Sequence, residues 1–98
     1  MEMYEGSLSE APSTAEAFFS LGMMQSSGRD TPVDLIAAHK WFNIAAARGH
    51  RDAAELRREI AAQMSDSEIG MAQRAARDWL KANPLASVAI APELRAAA

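Results

Sequence analysis

The chain has 98 residues, a formal net charge of −3 and an apolar content of 49%. That is the length of one domain with a thin core, since a domain this small buries only about 60% of the surface its unfolded chain exposes. The acidic balance argues against a nucleic-acid binder, and the absence of cysteine excludes disulfides, thiolate metal sites and thiol catalysis.

No apolar run approaches the ~20 residues of a membrane span, and the N-terminus carries neither the basic stretch nor the apolar run of a secretory signal. The expected protein is therefore small, soluble and cytoplasmic. Alanine dominates the chain after Ser13, and the few prolines and glycines cluster between alanine-rich segments. This composition predicts helices separated by short turns.

Residues 1–12 are acidic, rich in small residues and without helical period, which predicts a flexible N-terminal arm. Ser13 or Thr14 suits the N-cap of a first helix running to about Ser27. Its apolar face is expected to be Ala17, Leu21 and Met24, flanked by Phe18 and Gln25, and Gly28 is the expected stop. Thr31 is the expected N-cap of the second helix, with Pro32 in its first position and Asp34 in its first turn. Leu35, Ala38, Trp41, Phe42 and Ala45 form its apolar stripe, Arg48 fits the last turn and Gly49 ends it.

A third helix is expected over about 52–64, with Ala53, Leu56, Ile60 and Met64 at helical spacing. Ser65 followed three places later by Glu68 is a capping box, and the helix it opens should run to about Ala82. Ile69, Ala72, Ala76, Trp79 and Leu80 share its inner face, and Asn83-Pro84 stops it. Residues 84–98 hold two prolines and read as a flexible tail, with a short final helix near 93–97 as an alternative. The helical domain thus spans 13–83, an all-α arrangement of antiparallel helical hairpins with about four helices.

The two halves echo each other loosely. Ala17-x3-Leu21-Gly22 is matched by Leu56-x3-Ile60-Ala61, and Trp41 by Trp79. Offsets near 40 residues are those of helical-hairpin repeats. The first half is more specific: Ala17-x3-Leu21-Gly22-x5-Gly28-x5-Asp34-x3-Ala38-x2-Trp41-Phe42-x2-Ala45-Ala46-x2-Gly49-His50-x2-Ala53.

This pattern resembles a Sel-one-type repeat, a relative of the tetratricopeptide repeat, over about 17–53. The second half resembles, less specifically, the closing helix of some bacterial members. Gln25 stands where the family has tyrosine, and Asp30-Thr31 where it has Gly-Val. The resemblance implies a fragment of an α-α superhelix that presents a concave face to partner proteins. With one good copy and one degenerate copy, it favours a compact four-helix unit completed by a partner or by self-association. The expected structural positions are Leu21, Gly22, Gly28, Ala38, Trp41, Phe42, Ala45, Ala46, Gly49 and Trp79. Among them, Gly22 and the alanines leave room for close helix approach, while Trp41 and Phe42 fill the wedge between helices.

Residues that could carry chemistry all have plainer readings. His39 and His50 have no carboxylate at metal-ligand spacing on one helix face, so no metal or cofactor is expected. Asp34, Asp66 and Glu68 have helix-start roles, Asp78 can pair with Arg74 on one helix face, and nothing pairs an acid with a base for catalysis. Arg48, Arg51, Arg57 and Arg58 are interleaved with Asp52, Glu55 and Glu59, which reads as a solvated face rather than a nucleic-acid patch.

The first helix is apolar almost all round, more than a hairpin core needs. Aromatic and methionine surface is adaptable binding surface, so Phe18, Phe19, Met23 and Gln25 are the candidate partner-binding residues. The alternative is that the N-terminal arm or the tail covers them. The function expected is a non-catalytic protein–protein interaction module, an adaptor or regulatory subunit that binds a peptide or helix. The alternative is a structural protein that self-associates as a homodimer.

Overall fold

The computed structural model describes residues 14–84; the expected N-terminal arm and nearly all of the expected tail lie outside them. Within that span the chain is all-helical, with α1 over Ala15–Ser27, α2 over Leu35–Ala47, α3 over Ala53–Ala61 and α4 over Asp66–Ala82, and no strand among the described residues.

Local chemistry sets most of the boundaries. Thr14 caps α1, its hydroxyl accepting from the Ala17 N–H at 3.1 Å, and Gly28 closes the helix in the left-handed region at φ 72°. Ser65 and Glu68 form the reciprocal capping box that opens α4. The start of α2 differs from expectation. Asp34, not Thr31, is the N-cap, with its carboxylate accepting from the Ala37 N–H at 3.0 Å, and Pro32 stays in the loop. Two good caps compete here. The Asp34 N–H donates to the Gln25 carbonyl at 2.9 Å, which ties the loop back to α1 and holds Asp34 in extended backbone at the helix entry. The third helix is also shorter at both ends than the expected 52–64.

α2 is the hub: α1, α3 and α4 each pack principally against it. The α1–α2 pair is antiparallel, since Gln25 meets Asp34 at one end while Glu16 meets His50 at the other. The buried core gathers Phe18 from α1, Ala38, Phe42, Ile44 and Ala45 from α2, Ala53 and Ile60 from α3, and Ala76 from α4. Trp41, Leu56, Met64, Trp79 and Leu80 pack against it from its edges.

An aromatic cluster joins the two halves. Phe18 stacks on Trp41 with centroids 5.9 Å apart, and Trp79 meets both rings edge-on at 5.0 and 5.8 Å. Arg48 spreads over the Phe18 and Trp79 rings and donates to the Asn83 carbonyl at 2.6 Å, which caps the C-terminus of α4. Arg57 donates to Asn43 Oδ1 at 2.9 Å between α3 and α2. Two of the four arginines expected on a solvated face therefore hold helices together instead.

Candidate interaction face

The four candidate partner-binding residues do not share one surface. Phe18 is a correction: it is 0% exposed, at the centre of the aromatic cluster, and belongs to the core. Phe19 is half-buried, packed 5.5 Å from Phe42 and stacked 3.9 Å from the His50 ring. Met23 lies open to solvent at 44% exposure. Gln25 lines a different cleft, at the end of the bundle where Val33, Ile36, Gln63 and Glu68 meet.

The inner face of α1 is rotated from the expected one. Its buried residues are Phe18 and Gly22, while Met24, expected inside, is 38% exposed. Gly22 decides this orientation. A Cβ there would lie 2.6 Å from the Phe42 ring, so α1 presses against α2 at the one position that has no side chain. That rotation turns Glu16, Ser20, Met23 and Ser27 outward in a single stripe at i, i+4, i+7 and i+11. With Phe19, Met24, Arg29 and Asp30 they line a shallow cleft of about 460 Å³. Among the described residues, one helix and one loop line this cleft, with no opposing wall. Ser20 and Ser27 were not among the expected site residues, and the stripe's regular spacing was the available signal; Met24 was expected on the inner face.

One edge of the face is pinned by His50. The Asp52 N–H donates to His50 Nδ1 at 3.2 Å, so the ring proton sits on Nε2, which donates to Glu16 Oε1 at 3.1 Å. The ring thus fixes the N-terminal end of α1 to the entrance of α3. Both ring nitrogens are engaged, one with a main-chain donor, which suits a structural clasp rather than a proton-transferring pair.

His39 is the buried polar exception. It is 3% exposed, and its Nδ1 has no hydrogen-bond partner among the described residues. Burial first, and the Arg57 guanidinium second, lower its pKa below the ordinary 6.5, while a backbone hydrogen bond opposes them. The unfolded chain therefore takes up this proton at higher pH than the folded chain does. The stabilisation is fully present above pH 6.5 and is lost as pH falls from there towards the folded-state value. The unfolding free energy from urea titrations should drop on acidification through this range, by at most about 1.4 kcal/mol per pH unit from one proton. His39→Leu should flatten that part of the profile; an unchanged slope would assign it to other groups.

Among the described residues, no group of three or more histidine or acidic side chains could hold a metal ion, and no helix is long and apolar enough to cross a membrane. No protein-family model matches the chain, and no curated protein or solved structure is significantly similar to it.

Proposed function

We propose that the protein is a non-catalytic interaction module of the helical-repeat type, related to the Sel-one-type repeats, and that it binds another protein through the outer face of α1. The observation that carries this reading is the pair of adjacent exposed methionines, Met23 and Met24, in a cleft bounded by Phe19 and small serines. Thioether side chains are polarizable and conform to differently shaped apolar partners. The α1–α2 hairpin backs the face through the close approach of Gly22 to Phe42, while the methionine side chains can adapt.

Replacing Met23 and Met24 together by lysine should leave the far-ultraviolet helical signal intact, because both side chains already reach solvent. Capture of partners from the native cell by the immobilised chain should fall about tenfold or more, the loss expected when one well-packed apolar anchor is removed. Partners retained at wild-type yield by the folded double variant would place binding elsewhere.

A further inference from the structure

We propose that the acidic segment 1–13 docks on the outward face of α4 and is held there by charge, so that the chain covers its own basic surface. The formal charge of −3 resides entirely in that segment, which holds Glu2, Glu5 and Glu10 and no base. Residues 14–84 carry nine acidic and nine basic side chains, and residues 85–98 one of each. Within this balanced helical unit the charges separate. Asp34 and Glu68 line the cleft at one end, with Asp66 in the same first turn of α4 as Glu68. Arg74, Arg77 and Lys81 instead recur at helical spacing along the second half of α4, all exposed, with only Asp78 among them.

Arg48 and Arg57 are engaged between helices, but Arg74, Arg77 and Lys81 make no hydrogen bond or ion pair with another described residue. Arg74 does not reach Asp78, one turn on. Its guanidinium lies back over Gly70, where a Cβ would stand 3.3 Å from Nη1, and this carries the positive charge further along the face. The other outward faces offer an acidic segment nothing comparable. On α1, Glu16 is exposed and Arg29 and Asp30 cancel, while α3 alternates arginines with acids. The segment also starts in the right place. It joins α1 at Thr14, and one turn on the Phe18 ring lies 5.0 Å from Trp79, between Arg77 and Lys81 in sequence. Thirteen extended residues reach about 43 Å, whereas α4 is about 10 Å across and Arg74 to Lys81 rises about 10 Å. Exposed ion pairs are individually weak, but the tether holds the acids near the stripe at an effective concentration of about 1 mM. So occupied, the stripe is closed to other anionic partners.

The test uses the full chain. Because it has no cysteine, a nitroxide attached at Ser7→Cys is a unique probe, and it should broaden the magnetic resonance signals of backbone amides 74–81. That broadening should fall at least about twofold when Glu2, Glu5 and Glu10 are replaced by glutamine, and likewise in about 1 M salt, where the Debye length is about 3 Å. The glutamine variant keeps the tether and its length, so equal broadening in the two chains means proximity without docking and overturns the proposal. Strongest broadening on the outer face of α1, or in the cleft of Asp34 and Glu68, overturns it as well. So does broadening passed from a labelled chain to an unlabelled one, which would make the occupant a second copy's segment. Charge reversal supplies the last arm. Replacing Arg74, Arg77 and Lys81 by glutamate should abolish the contact, and adding lysine at positions 2, 5 and 10 should restore it. Failure to restore it in a chain whose spectrum remains that of the folded protein overturns docking by charge.

Discussion

Phe18→Ala should remove most of the protein's stability and leave it marginally folded at room temperature. The side chain is completely buried, and its ring is the one that both tryptophans touch. Truncating a buried phenylalanine costs about 3–5 kcal/mol, from lost transfer free energy and the cavity left behind. Collapse into that cavity is hindered, because Trp41 and Trp79 are held by their own contact and by Lys40 and Arg48 over their faces. A small domain has a total stability of about 5 kcal/mol, so the loss is comparable to the whole. Urea denaturation followed by tryptophan emission measures it directly. A loss below about 1 kcal/mol would mean that Phe18 is not in the core, and would restore it as a surface residue.

Gly22→Ala is the second large effect, and two terms of opposite sign decide it. Alanine is favoured over glycine inside a helix by about 1 kcal/mol. Against this, the added Cβ would stand 2.6 Å from both Cδ1 and Cε1 of Phe42, well inside contact distance. Phe42 is itself buried and is backed by Phe19, so its ring has little room to retreat. Overpacking of this kind costs about 1–3 kcal/mol, and the closeness of two ring atoms puts the effect toward the upper part of that range. The expected result is net destabilisation of about 1–2 kcal/mol, with the helical signal retained. Thermal melting gives the sign: a raised melting temperature would show that α1 can move off α2.

Those two positions also mark where the sequence was legible and where it was not. Helix ends carried by a single strong cap, such as Gly28 and the Ser65–Glu68 box, could be read directly because their chemistry is local. The entry to α2 could not, because Thr31 and Asp34 are both good caps and the choice depends on a tertiary hydrogen bond to Gln25. The inner face of α1 was ambiguous for another reason. A helix apolar nearly all round has no periodicity that selects a face, so Ala17-Leu21-Met24 and Phe18-Gly22-Gln25 read equally well. The mid-helix glycine held the missing information, since a residue without a side chain marks the line of closest approach, and Phe18 lies one turn before it. His39 and Ile44 were missed because the crowding of three neighbours around α2 buries more of its circumference than one stripe.

The packing of three helices around α2 has a consequence for how sequence change is tolerated. A substitution on α1, α3 or α4 disturbs chiefly one interface, and the remaining pairs can hold. A substitution on α2 is felt on up to three sides at once, with no single neighbour able to compensate. Drift should therefore be slowest along 35–47 and fastest on the outward stripes of the other helices. The molecule can in this way acquire new surfaces by altering its periphery while the central helix keeps the arrangement that presents them.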